Sequence, residues 1–142
     1  MEKLYVAPTE MSPEIIFNPG EDTFLIKGSS RPEDVRELYA PVIDWIKDYY
    51  LEIINRQAEI YNEAKPLTFQ FDLEYFNSSS AKFFYDIIMA IREFKQAGVK
   101  VKIIWYYEED DTDMKEAGED LSILAEIKFK YIPKPDTDER TA

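Results

Sequence analysis

Three consecutive hydroxyls, Ser78, Ser79 and Ser80, follow the run Leu67 to Leu73 and precede a helical pattern. Hydroxyls at a helix start meet free backbone N–H groups and the positive end of the helix dipole, a setting that favours an anion. A phosphoryl group on Ser78 or Ser79 adds about −1.5 to −2 charges and three acceptor oxygens there. Lys82, one turn along, is placed to approach it, whereas Asp72 and Glu74 repel it. The same residues also read as plain helix capping by Ser, with Asn77 shaping the turn. From the residues alone both readings stand.

A second group is the acidic run Glu108, Glu109, Asp110, Asp111 and Asp113, continued by Glu116, Glu119 and Asp120. Oxygen ligands suit magnesium or calcium. Tested as a calcium loop from Asp111, the run fails: Lys115 takes the fifth position, Glu116 the sixth where Gly is needed, and Ser122 the twelfth. The alternative is a solvated loop whose acids stabilise a helix start. A third group is aromatic: Trp105, Tyr106 and Tyr107 beside the acidic run, with Tyr75 and Phe76 beside the serines. Aromatics of this kind pack a core or, left on an open face, anchor a partner.

Composition limits the chemistry further. The chain holds no His and no Cys. Triads with an imidazole base, thiolate catalysis and zinc or iron–sulfur ligation are therefore excluded. No Gly-rich phosphate loop is present among four glycines. With 17 basic against 29 acidic residues the net charge is −12, which repels phosphate backbones and anionic lipid. Nucleic acid and membranes are thus not expected partners, and no cofactor or metal is expected. No apolar run approaches the about 18 residues of a spanning helix, and no signal-peptide pattern opens the chain, so a cytoplasmic protein is expected. Its 142 residues make one domain.

The elements that must position these groups follow from periodicity and turn chemistry. Residues 1–12 read as a tail or leading edge. Ile15 to Phe17 and Thr23 to Lys27 read as two strands joined at Asn18-Pro19-Gly20, the second ending at Gly28. Ser29 to Asp34 reads as a helix opening with a Ser cap, leading into a helix that Pro41 should kink or restart and that extends to about Ala64. Leu67 to Leu73 is a strand, Glu74 to Ser80 a loop, and a helix runs on to about Gln96, stopped by Gly98. Val99 to Tyr106 alternates as a strand, a helix spans about Asp111 to Ile123, and Ile127 to Ile132 is a last strand before a charged tail. The order is β-β-α-β-α-β-α-β, a single α/β domain with helices packed on a mixed sheet and flexible ends at 1–12 and 134–142.

Four segments in order carry a resemblance: Gly28-Ser-Ser-Arg-Pro-Glu-Asp34, Tyr39-Ala-Pro-Val-Ile-Asp-Trp45, Leu73-Glu-Tyr-Phe-Asn-Ser-Ser-Ser-Ala-Lys82 and Trp105-Tyr-Tyr-Glu-Glu-Asp-Asp111. Between Pro13 and about Tyr131 the sequence resembles the SiaC-type regulatory phosphoproteins, small bacterial proteins that act on a diguanylate cyclase. The resemblance implies a STAS-like fold, as in anti-sigma-factor antagonists, with a phosphorylatable hydroxyl at a strand-to-helix junction. It implies a partner switch: a protein kinase phosphorylates the hydroxyl after the Asn, a metal-dependent Ser/Thr phosphatase removes the phosphate, and the unmodified form binds the cyclase. Relatives often carry Thr where this chain has Ser78, a departure that keeps the hydroxyl. Ser78 is the first choice for the phosphosite and Ser79 the second.

The partner-binding surface expected on this basis comprises Tyr75, Phe76, Asn77, Ser79, Ser80, Lys82, Tyr107, Glu108, Glu109, Asp110 and Asp111. Between Glu108 and Asp120 eight acids stand against one Lys, a net −7. If the strands before Ser78 and before Glu108 are parallel, this rim shares a sheet edge with the serines and suits a basic partner. Two other classes remain open: a small carboxylate or metal-dependent enzyme using Glu108 to Asp113, and a structural assembly subunit using the aromatic set.

Overall fold

Alternation of apolar and polar residues sets the sheet. In the computed structural model, which describes residues 1–56 and 60–135, β2 (Glu14–Asn18) buries Ile15 and Phe17, and β3 (Thr23–Ser30) buries Phe24 and Ile26. Asn18 closes the hairpin between them by accepting a hydrogen bond from Gly20 N at 3.1 Å. Further along, β4 (Leu67–Phe76) buries Leu67, Phe69, Phe71 and Leu73, and β5 (Val101–Glu108) buries Ile103 and Trp105. β6 (Lys130–Lys134) completes one side of the sheet and β1 (Leu4–Val6) the other.

The strands lie in chain order from β1 to β6. β1, β2 and β3 pair antiparallel, whereas β3, β4, β5 and β6 pair parallel. Each parallel pair needs a helical crossover, supplied by α1 (Val35–Arg56), α2 (Ser78–Gln96) and α3 (Thr112–Ala125). The buried strand positions share one parity, and α2 packs against both α1 and α3. The result is two layers, with the helices covering one face of the sheet. Phe84, Ile87, Ile88, Ile91 and Phe94 of α2 are all fully buried at the centre.

Five expectations need correction. Leu4–Val6 is a third antiparallel strand, so the element order is β-β-β-α-β-α-β-α-β and residues 1–12 are not a loose end. Trp45 Nε1 donates to the Glu2 carbonyl at 2.8 Å and ties this segment onto α1. Ser29 and Ser30 do not cap a helix; they end β3, and the cap of α1 is Asp34, which accepts from Glu37 N at 3.0 Å. The helix does not reach Ala64, because Asn62 and Lys65 exchange backbone hydrogen bonds in a turn. Glu74 to Ser80 is not a loop but the end of β4, the cap Asn77 and the start of α2. At the far end Pro133 and Lys134 belong to β6, an edge strand, where a missing N–H is tolerated; residues 136–142 of the expected tail lie outside the described residues.

α3 is built against Trp105. That indole stacks between Phe71 and Phe129, with centroids 5.6 and 5.8 Å away, and its Nε1 donates to the Met114 carbonyl at 3.0 Å. Gly118 faces the ring so closely that a Cβ there would stand 2.5 Å from Nε1. A glycine inside a helix is explained by this approach, not by a turn.

Candidate functional site

A bulge at Glu74 sets the geometry of the serine junction. β4 pairs Leu73 with Gly28 and then Tyr75 with Ser29, passing over Glu74. One extra residue reverses the alternation of a strand. Phe76 therefore turns inward, against Phe84 at 5.2 Å and Trp105 at 6.0 Å, and Tyr75 is left half exposed. Asn77 follows directly, and its side chain accepts from Ser80 N at 2.9 Å, capping α2. The capping role belongs to Asn77 and not to a serine.

Behind the cap lies a fully buried polar knot. The hydroxyls of Ser30 and Ser80 are hydrogen-bonded at 2.8 Å, and that of Ser30 also meets the Tyr39 hydroxyl. Ser80 Oγ donates to the Ser30 carbonyl at 3.1 Å, and Asn77 N donates to the same carbonyl at 3.1 Å. The protons fit without a gap: Tyr39 donates to Ser30, Ser30 to Ser80, and Ser80 to the carbonyl. Burial pushes the Tyr39 phenol well above its ordinary range, so it stays a neutral donor. The end of β3, the second turn of α1 and the first turn of α2 are thereby locked together.

Ser78 and Ser79 lie outside this knot and are exposed. Ser80 has no accessible surface, so its place among the partner-contacting residues is withdrawn. Phe76 likewise packs mainly inward. Lys82 is exposed, pairs with Asp86 one turn on, and stands 5.0 Å from the Phe83 ring centroid. α1 carries Glu37 in its first turn and α3 carries Asp113, but α2 carries no acid there. The positive end of its dipole meets no side-chain anion from its own first turn.

The acidic run stands at the same edge of the sheet. β4 and β5 are parallel, so Asn77 and Glu109 follow the carboxyl ends of neighbouring strands. Glu108 closes β5, Glu109 and Asp110 are exposed in the turn, and Asp111 caps α3 by accepting from Met114 N at 3.0 Å. Tyr107 is half-buried beneath Lys115, whose Nζ is 5.8 Å from the ring centroid. Of the aromatic set, Trp105 is core and Tyr106 donates to Gln70 Oε1 at 2.8 Å on the uncovered face of the sheet. Among the described residues no three acidic side chains converge as metal ligands would. No described helix is long and apolar enough to cross a membrane.

Sequence reasoning missed Ser30 and Tyr39 as parts of this junction. Both lie in segments it quoted, but the contact of Ser30 with Ser80, to which Tyr39 adds its own bond to Ser30, depends on the pairing of β3 with β4.

Comparison with known proteins agrees with the geometry. The family model described as SiaC family regulatory phosphoprotein matches residues 6–134. An uncharacterised protein of Pseudomonas aeruginosa strain UCBPP-PA14 is 28% identical over 121 residues, 85% of this chain and 88% of that one. The crystal structure of apo-SiaC from P. aeruginosa superposes with a TM-score of 0.76 at 25% identity, covering 94% of this chain and 99% of that one. SiaC crystallised in complex with the diguanylate cyclase SiaD, described there as its activator, gives the same TM-score, identity and coverage. A chain with this match over nearly its whole length, and with this fold, belongs to the SiaC family of regulatory phosphoproteins.

Proposed function

We propose that this protein is a cytoplasmic, non-catalytic regulator whose unmodified form binds and activates a diguanylate cyclase, and that phosphorylation of Ser78 ends the interaction. The observation that carries this reading is the exposed Ser78 at the acid-free start of α2, beside the fully enclosed Ser80. Of three adjacent hydroxyls, Ser78 and Ser79 are open to a kinase and Ser80 is not. A metal-dependent Ser/Thr phosphatase restores the unmodified state. The finding that SiaC activates SiaD in a complex supports the cyclase as the partner class.

The physical requirement is small. A dianion placed within an interface must be desolvated when the partner docks, and its bulk holds the surfaces apart. Each 1.4 kcal/mol of that penalty lowers affinity about tenfold. The knot of Ser30, Tyr39 and Ser80 keeps the helix start rigid, so the penalty is not relieved by local rearrangement.

The test has two parts. Fragment mass spectrometry of protein purified from its host locates the phosphate, expected on Ser78. Titration of the host's diguanylate cyclases, expressed one at a time, compares unmodified protein with protein carrying genetically encoded phosphoserine at position 78. Binding and activation by the first and an affinity at least about tenfold lower for the second are expected. Equal affinity for the two forms refutes the switch.

A further inference from the structure

The two edges of the sheet are guarded differently. β6 carries Lys130, Pro133 and Lys134, and its charges and missing N–H discourage a further strand. β1, Leu4-Tyr5-Val6, holds no charge and no proline. Among the described residues only β2 pairs with it, so its outer edge presents main-chain donors and acceptors with no strand beside them. Only its shortness guards it.

Along this edge, between β1 and the start of α1, runs a groove of about 480 Å³. Leu4 and Val6 from β1, with Leu38, Pro41 and Val42 from α1, give it an apolar floor. Glu33, Asp34 and Glu37 border it, and no basic residue lines it. None of the three carboxylates is in an ion pair among the described residues. Pro41 adds a main-chain acceptor, because it lacks the N–H that a helix offers the carbonyl four residues back, here that of Glu37. Acids at a helix start answer its dipole. The dipole does not account for the apolar floor or for the open carbonyl beside them.

Charge and geometry identify the occupant. An apolar floor with an anionic border suits aliphatic side chains flanked by Lys or Arg. A second copy of this chain paired through β1 brings three more carboxylates to the border, and residues 136–142 carry three acids against one Arg, so both are repelled. A strand added to β1 sends its side chains alternately to the Leu4 and Val6 side, into the groove, and to the side of Tyr5, which is 51% exposed.

We propose that this edge takes an extended segment of another protein as an added strand, with aliphatic side chains in the groove and Lys or Arg against Glu33 and Glu37. The seat stands apart from Ser78. β1 is three strands from β4, about 14 Å at the usual strand spacing. The α1 residues that line its junction with α2, Arg36, Ala40 and Ile43, are on the opposite side of that helix from Glu37, Leu38 and Pro41. Occupancy of this seat therefore needs neither the phosphoryl group nor the cyclase.

Three synthetic peptides of about nine residues, long enough to span β1 and the groove, are the probes. The first alternates Thr and Val in its centre and carries a Lys-Arg pair at each end. The second has the same centre with Glu pairs at its ends, and the third is the first with its central amides N-methylated, so that it cannot pair as a strand. Calorimetry and amide chemical-shift mapping on the full chain are expected to place the first at Leu4, Tyr5 and Val6 of β1 and at Glu37 and Leu38 of α1. The other two are expected to bind at least about tenfold more weakly. Glu33→Gln combined with Glu37→Gln, at exposed positions, is expected to weaken the first peptide by a similar factor. The same loss of charge on α3, Asp113→Asn combined with Glu116→Gln, is expected to leave it unchanged. Shifts centred elsewhere, equal binding of the three peptides, or equal effects of the two double variants overturn the proposal. So does a dimer in sedimentation whose β1 amides shift on dilution, because a second copy then fills the edge.

Discussion

The Ser30 hydroxyl lies 2.8 Å from that of Ser80, fifty positions further along the chain. Neither residue touches solvent, and each depends on the other to satisfy its polar atoms. Removing one leaves a buried group unpaired, which costs about 1–3 kcal/mol, whereas a hydrogen bond lost with its partner re-satisfied costs about 1 kcal/mol. Ser30→Ala leaves the buried Tyr39 hydroxyl without its partner, while Ser80 keeps only the Ser30 carbonyl, and is expected to lower stability by the larger amount. Ser80→Ala leaves Ser30 its bond to Tyr39 and is expected to cost less. Urea unfolding of the two variants gives the order.

Asn77 holds the first turn of α2 through Ser80 N. Loss of such a cap costs about 0.5–2 kcal/mol. Asn77→Ala is expected to fall in that range, and Asn77→Asp to retain most of the stability. Ser78→Ala and Ser79→Ala, at exposed positions outside the knot, are expected within about 0.5 kcal/mol of wild type. Thermal melts of the four variants separate the cap from the exposed hydroxyls.

Gly118 offers a test in which two effects oppose each other. Alanine favours the helix by about 1 kcal/mol over glycine. Its methyl would meet the Trp105 ring at 2.5 to 2.7 Å, and overpacking of a core costs about 1–3 kcal/mol. The ring is stacked between Phe71 and Phe129 and has no free side to move to. Gly118→Ala is therefore expected to destabilise, with a shifted tryptophan emission as the second readout.

Two buried phenols give the alkaline limit. Burial pushes Tyr39 well above its ordinary range, and burial together with the Tyr49 hydroxyl does the same to Tyr61. A pKa raised on folding means that the folded chain holds protons the unfolded chain gives up above about pH 10. The stabilisation is thus complete below that pH and is lost as pH rises, at about 1.4 kcal/mol per pH unit for each phenol. Urea midpoints measured between about pH 8 and 11 are expected to fall. Tyr61→Phe is expected to make that fall shallower.

Local patterns were readable where local forces decide. Asn18-Pro19-Gly20 forms the hairpin turn because its cap and ring need no distant partner. Val99 to Tyr106 reads as a strand by its alternation, and β5 occupies Val101–Glu108 with Ile103 and Trp105 buried. Three residues at Leu4–Val6 give no period, and they are a strand only because β2 offers an edge and Trp45 a hydrogen bond. The serines at 29 and 30 have the composition of a helix cap, yet pairing with Tyr75 and Phe76 draws them into β3. The same bulge exchanges the faces of Tyr75 and Phe76, which no reading of β4 by itself reveals. At the junction, Ser78 and Asn77 were legible as residue types in a helix-start pattern. That Asn caps while Ser80 is enclosed depends on Ser30 and Tyr39, far away in the chain.

The strand order follows the chain from β1 to β6 without an exchange. On the ribosome each strand therefore leaves the exit tunnel with its neighbour already made, and no early segment waits for a late one before it pairs. The carboxylate-bearing helix is the last of the three helices to arrive. A nascent chain grown to Gln96 already carries the serine-bearing helix start but has not yet received α3. The knot of Ser30, Tyr39 and Ser80 thus has all its members before α3 is made, and the start of α2 is fixed without it.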